Sequence, residues 1–447
     1  MKKEVTLFRP ENIALMVESQ NESQKYGAII AAQTIEHDGK ELTMQQATSL
    51  LKSNNRELRE QVWKKINERK SEDTKQLQDL FSKLINIRHQ IALNAGYKNY
   101  RDYKFDDLGR FDYNVNDCLS FHAAIEHEIV PLLNKIDEER KQKLGLDALM
   151  PWDMDVDTSG GQPLKPFSNS ADLITKTINC FNKVRPYYAE CIEVMNEMNH
   201  LDLDSRKGKA PGGYNYPLYE IGVPFIFMNA VGTHRDLVTM VHEGGHAIHS
   251  FLSRNLFLTE FKNIPSEVAE LASMSMELIS MEHWEEFFAD ANDLKRARKE
   301  QLEKVLRTLP WISMIDLFQH WLYENPANTA EQRNEKWVEL VNRFYSKQIN
   351  WQQHEDVKNR FWQNQLHLYE VPFYYIEYGF AQLGAIAVWR NYATNGEKAL
   401  DQYQNALALG YTKSIPQLYE TAGIDFKFTQ AYVKELVDFV KNKMNKI

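Results

Sequence analysis

Two histidines four residues apart, His242 and His246, with Glu243 directly after the first, are the residues of this 447-residue chain with the most chemical content. On an α-helix, positions i and i+4 lie one turn apart on one face. Both imidazoles can therefore reach a single cation, and Glu243 stands beside that cation rather than on it. The residues just before read as a helix start: Thr233 can cap, Asp236 falls in the first turn, and Leu237, Val238 and Val241 supply an apolar face. A second stretch, Glu270-Leu271-Ala272-Ser273-Met274-Ser275-Met276-Glu277, adds what the first lacks. A catalytic zinc takes three protein ligands and keeps a fourth position for water, and two histidines with a glutamate are a set used for peptide hydrolysis. Glu270 lies 28 residues after His242, which leaves room for a loop through Asn263-Ile264-Pro265 and a second helix that returns a carboxylate to the metal. Glu277, seven residues on and two turns along the same face, can hold a ligand histidine in its tautomer.

His242-Glu243-x-x-His246-x-x-His249 with Glu270 and Glu277 resembles the zinc site of the oligoendopeptidase F and thimet oligopeptidase family of zinc metallopeptidases. Three further blocks agree in content, order and spacing: Gly208-Lys209-Ala210-Pro211-Gly212-Gly213-Tyr214, Pro224-Phe225-Ile226-Phe227-Met228-Asn229, and the run from His367 to Gly379. The specific part of the likeness covers about residues 205 to 390. Relative to the family the chain is short at its front end, as a compact member or a truncated form would be.

The resemblance implies a mainly α, zincin-like helical metallopeptidase fold, with a small β-sheet beside the zinc helix and two lobes around a deep cleft. Residues 1–200 would form a helical lobe that walls the cleft, and residues 201–447 the zinc-bearing catalytic lobe. It implies one Zn²⁺ per chain on His242, His246 and Glu270, with Glu243 as general base. It further implies a histidine and one or two tyrosines that donate to the oxyanion the metal stabilises only in part. His367 fits the histidine. Tyr375 and Tyr378 fit the tyrosines, since their three-residue separation puts both on one helix face, and Tyr374 is the alternative. The expected activity is hydrolysis of internal bonds in short oligopeptides. Two other readings stand beside it: a metallocarboxypeptidase of related fold, and a non-catalytic peptide-binding protein on a truncated peptidase scaffold.

Composition narrows the partners. A formal net charge of −9 argues against nucleic acid, which a basic face would bind. The basic run Lys295 to Lys299 has Glu300 and Glu303 beside it and reads as a solvated helix face. No run of 18 apolar residues exists and the charged N-terminus lacks an apolar core, so neither a membrane span nor a secretory signal is expected, and the chain reads as cytoplasmic. Cys118, Cys180 and Cys191 form no CxxC pair and read as free thiols rather than metal ligands. Nothing in the sequence fixes the oligomeric state.

Three- and four-residue apolar spacing predicts helices at 44–51, 56–69, 75–95, 117–144, 169–198, 233–256, 268–280, 284–309, 329–345 and 374–395. Strands are expected at 26–33, at 35–38 with 41–43 around Gly39-Lys40, and at 223–229. The last is either an edge strand able to pair with a substrate backbone or an interior strand. The aspartates at 153, 155 and 157 alternate as in an EF-hand, but Thr158 and Leu164 stand where that loop needs Gly and Glu, so a solvent-exposed loop is the better reading. Gly212-Gly213 can make a turn or admit a substrate backbone. Gly244 and Gly245 each disfavour the zinc helix by about 1 kcal/mol against Ala, which close packing or cleft-exposed backbone would offset. His249 reads as a packing or supporting residue given that Glu270 is present.

Overall fold

The computed structural model describes residues 2–206, 209 and 212–447. The chain is mainly helical and divides into two compact units, one of residues 1–163 with 308–376, the other of residues 164–307 with 377–447. The division drawn at residue 200 from the sequence has no counterpart in these boundaries. Apolar spacing marks helices but not the return of a segment to an earlier unit.

The first unit contains the helices Pro10–Ala31, Arg56–Glu72, Thr74–Asn94, Tyr100–Leu108, Val115–Glu128, Val130–Lys143 and Ala330–Phe344, with a hairpin of Thr34–His37 on Lys40–Thr43. The hairpin turns through Asp38 and Gly39, both at positive φ, as a two-residue turn requires. The expected strand at 26–33 is instead the end of Pro10–Ala31. That helix buries Asn12, Glu22, Ser23 and Tyr26, so its inward face is polar and hydrophobic periodicity could not reveal it. The expected helices 117–144 and 169–198 each break in two, at Ile129 before Pro131 and at Arg185 before Pro186.

The loop with alternating aspartates is also corrected. Asp153 is fully buried and takes Arg59 at 2.8 Å and Arg56 at 2.9 Å, while the Met150 amide donates to it. The loop is thus tied to the helix Arg56–Glu72 through a paired internal carboxylate.

The second unit holds Ser170–Val184, Pro186–Glu197, His234–Ser253, Ser266–Ser280, Glu397–Ala408, Ile415–Thr421 and Gln430–Met444. It also holds a three-stranded sheet in which Phe225–Ala230 lies between Leu201–Asp204, parallel to it, and Tyr214–Tyr216, antiparallel. The 223–229 run is therefore the interior strand. The buried Lys209 joins the parallel pair, donating to the Asp202 carboxylate and the Asp204 and Met228 carbonyls. Gly208, Ala210 and Pro211 of the same block lie outside the described residues. Among the described residues, no helix is long and apolar enough to cross a membrane.

Although burial opposes its charge, Asp153 is held below the usual carboxylate range by its two arginines. A depressed folded-state pKa contributes stability above the unfolded value and loses it as pH falls through the folded one. Asp153→Ala, which leaves buried Arg59 unpaired, should cost about 3–5 kcal/mol. Urea unfolding at pH 7 and at a pH below the ordinary aspartate value of about 4 checks this: the variant's deficit should shrink at the lower pH, and an equal deficit at both would refute the pairing's contribution.

Candidate metal centre

The helix His234–Ser253 begins with a reciprocal cap. The Thr233 hydroxyl accepts from the Asp236 amide at 3.3 Å, and the Asp236 carboxylate accepts from the Thr233 amide at 2.9 Å. Leu237, Val238, Met240, Val241, Ala247, Ile248 and Phe251 bury one side, and His242 and His246 are left half-buried on the other.

The helix Ser266–Ser280 lies against it, and the glycine pair explains how closely. A Cβ on Gly245 would fall 2.7 Å from Ser273 Cα and 2.9 Å from the Ala272 carbonyl, both backbone atoms. On Gly244 it would meet the Phe181 ring edge at 2.8 Å. Close packing is thus what offsets the helix propensity these glycines give up.

That approach brings Glu270 to the histidines. Its Oε2 is 3.4 Å from His242 Nε2 and 3.8 Å from His246 Nε2. Donors about 2.1 Å from a zinc in a tetrahedron are about 3.4 Å from one another, so the three fit that ion. The surroundings suit them to it. The Glu277 carboxylate accepts from His242 Nδ1 at 2.7 Å, which turns Nε2 toward Glu270, where a cation would take the place of the Nε2 proton, and Gln301 donates to the other Glu277 oxygen at 2.7 Å. Burial lowers His246 to about 4 and keeps it neutral. Burial opposes the charge of Glu270, but hydrogen bonding to His242 and the nearby histidines hold it down to about 2, and Ser273 donates to it at 3.2 Å.

Glu243 is buried and is pushed up to about 7, chiefly by burial, against the pull of His242; the Asn215 backbone donates to it. Asn215 belongs to the edge strand Tyr214–Tyr216, and a Cβ on Gly213 would meet Thr239 of the zinc helix at 3.0 Å. The strand beside Glu243 is therefore this one rather than 223–229. His249 is buried away from the donor group, its ring bonded to the Leu407 backbone and lowered to about 3 by burial.

His367 and Tyr375 fall in the first unit, and Tyr378 in the second. Trp311 Nε1, which can only donate, reaches Gln365 Oε1 at 3.0 Å and the Tyr375 hydroxyl at 3.1 Å. Gln365 must then turn its amide nitrogen to His367 Nδ1, at 2.6 Å, which puts the His367 ring proton on Nε2 as a donor. Burial raises Tyr375 to about 12, so it too stays a donor. Tyr374 and Tyr378 are half-buried. Tyr369 is fully buried and stacks on Tyr26, as a core residue would.

Between His367 and Tyr375, Phe373 has φ +67°, which is rare for a bulky side chain. It is held there by Gln319, which accepts from its amide at 2.6 Å, and by Arg110, which donates to its carbonyl. Arg88 likewise donates to the Leu368 carbonyl at 2.9 Å and to that of Tyr369, fixing the end of the helix Leu366–Glu370 that carries His367. Sequence reasoning missed Gln301, Ser273, Trp311, Gln365, Gln319 and Arg110. Only Ser273, one turn after Glu270, had a position that could have marked it.

The model of a family described as peptidase family M3 matches residues 49–438. The chain belongs to peptidase family M3. Membership places this M3 chain among the peptidases, and the names of its relatives are those of oligopeptidases. It is 22% identical over 414 residues to an oligoendopeptidase F homolog of Borreliella burgdorferi, covering 91% of this chain and 68% of the relative. It is 23% identical over 414 residues to the plasmid oligoendopeptidase F of Lactococcus lactis subsp. cremoris, covering 91% and 66%. The M3 chain thus spans about two thirds of the length of these relatives. A solved structure of PZ peptidase A with an inhibitor superposes with a TM-score of 0.94 at 27% identity, covering 100% of this chain and 79% of that one. A 3.1 Å oligoendopeptidase F structure gives 0.93 at 28% identity, with coverages of 100% and 78%.

Gly245→Ala should push the two helices apart, with an overpacking penalty of about 1–3 kcal/mol that exceeds the propensity gain, and should weaken zinc binding. Gly244→Ala, which meets only a ring edge, should do less. Competition with a chelating dye and thermal unfolding check both; unchanged zinc affinity in Gly245→Ala would contradict the account. Glu277→Ala should weaken zinc by about 10–100-fold in the same titration.

Proposed function

We propose that this M3 chain is a zinc-dependent endopeptidase that hydrolyses internal bonds of short oligopeptides in the cytoplasm. The convergence of His242, His246 and Glu270, with Glu243 alongside, carries this reading. These three residues would hold one catalytic Zn²⁺, which when bound acidifies water and polarises a carbonyl.

The remaining roles belong to side chains. Glu243, near neutral in its proton affinity, accepts the proton of the attacking water at its carboxylate and returns it to the leaving amine. Glu277 holds the His242 ring by Nδ1, so that Nε2 faces the position a cation would take. His367, protonated on Nε2, and Tyr375 and Tyr378 serve as the hydrogen-bond donors that share the oxyanion's charge. The edge strand Tyr214–Tyr216 offers backbone groups for an extended peptide, which recognises substrates with little side-chain preference. A net charge of −9 favours peptides over nucleic acid.

The test is mass spectrometry of a mixed-sequence short peptide blocked at both ends, incubated with zinc-loaded protein. Internal fragments are expected, and Glu243→Gln should lower kcat/KM by about 10²–10⁴-fold while zinc content stays unchanged. Cleavage confined to the C-terminal residue of an unblocked peptide would favour a carboxypeptidase. Zinc retained without any cleavage would favour a binding role.

A further inference from the structure

The first unit contains a second group of metal-type donors, far along the sequence from the pair described above. Cys118 and His122 stand at i and i+4 on Val115–Glu128, and Asp316 and His320 at i and i+4 on Ala291–Glu324. The two helices face each other through these residues. One donor atom each from Cys118, Asp316 and His320 lies within 4.8 Å of the others. All four residues are buried, the most exposed, His320, at 4%.

The hydrogen bonding is incomplete in a telling way. His320 Nε2 is 3.1 Å from Asp316 Oδ2, and His122 Nε2 is 3.0 Å from the same oxygen. Asp316 Oδ1, His320 Nδ1 and His122 Nδ1 have no hydrogen-bond partner. Donors crowded on one side, with buried lone pairs left over, are what a cation would satisfy, and an unpaired buried polar group is otherwise costly.

We propose that Cys118, Asp316 and His320 form a second, structural site for a divalent cation of the zinc type, with His122 set beside the Asp316 carboxylate. The charges balance: thiolate and carboxylate supply two negative charges, neutral imidazole none, and the cation two positive. The mixed sulfur, nitrogen and oxygen set suits zinc, whereas calcium and magnesium take oxygen. Without a cation, burial raises the Cys118 thiol well above its ordinary range and lowers His122, so both remain neutral. Binding would release the thiol proton to solvent.

Such a site would do more than join two helices. Gln319, next to His320, holds the Phe373 amide, and the His320 ring is 5.5 Å from the Phe373 ring. A cation here would therefore brace the left-handed residue that precedes Tyr374 and Tyr375. Among the described residues, this is the only group of metal-type donors that includes a cysteine, and that makes the two sites separable by experiment.

The full chain, unaltered and as the His242→Ala/His246→Ala double variant, is equilibrated with zinc and weighed by native mass spectrometry. The double variant removes the first site without touching this one. It should retain one zinc per chain, and the same variant carrying Cys118→Ser should retain none. No zinc in the double variant would overturn the proposal. Cobalt gives a readout that does not depend on Cys118→Ser folding, because the His242, His246 and Glu270 set contains no sulfur. The cobalt-loaded unaltered protein should show a thiolate-to-cobalt charge-transfer band in the near ultraviolet; its absence would equally overturn the site.

Discussion

The contact of Gly245 with the backbone of Ser273 and Ala272 sets the geometry on which the candidate centre depends. Two histidines on one helix can always face the same way, but the third donor comes from a different helix, and its reach is fixed by how near the two backbones come. With a Cβ only 2.7 Å from Ser273 Cα, any residue larger than glycine would widen that gap. The helix His234–Ser253 gives up about 1 kcal/mol of propensity at this position, and in return Glu270 stands within 4 Å of both imidazoles. Ser273 takes part twice, since its backbone meets Gly245 and its hydroxyl donates to Glu270.

The two units use buried charge in different ways. In the second, charged groups converge on the place where a cation would sit. In the first, buried arginines satisfy buried acceptors: Arg59 pairs with the Asp153 carboxylate, Arg88 takes the Leu368 and Tyr369 carbonyls, and Arg110 takes that of Phe373. A guanidinium suits this task because its fork of donors can serve two acceptors at once without deprotonating. The segment from His367 to Tyr375 is therefore irregular in backbone but closely constrained, which matters for residues expected to aim a proton.

Much of the candidate centre was legible in the sequence because its spacing is local. His242, Glu243, His246, Glu270 and Glu277 sit on two helices whose caps and apolar faces are ordinary, so position along the chain translates directly into position in space. The strand beside Glu243 was not legible: Tyr214–Tyr216 is only three residues long and follows two glycines, while the apolar run 223–229 gives the stronger strand signal yet lies in the sheet's interior. Pro10–Ala31 was misread because its buried side is polar, and the unit boundaries were missed because the segment 308–376 joins residues 1–163 by contacts that no local pattern encodes. Gln301, Gln319 and Gln365 were invisible for a similar reason. A glutamine looks like any surface residue until its amide is seen fixing a carboxylate, a backbone or an imidazole.

The sheet in the second unit has outer strands of four and three residues, Leu201–Asp204 and Tyr214–Tyr216. A sheet edge is a template that any extended chain can extend, and long flat edges invite pairing between molecules. An edge of three residues presents so few free backbone groups that two copies zipped together along it would gain little against the entropy lost on association. The same brevity still leaves enough for one small guest held by other contacts as well. Short edges thus let a protein keep an open strand near its chemistry and remain dispersed at the concentrations found in a crowded solution.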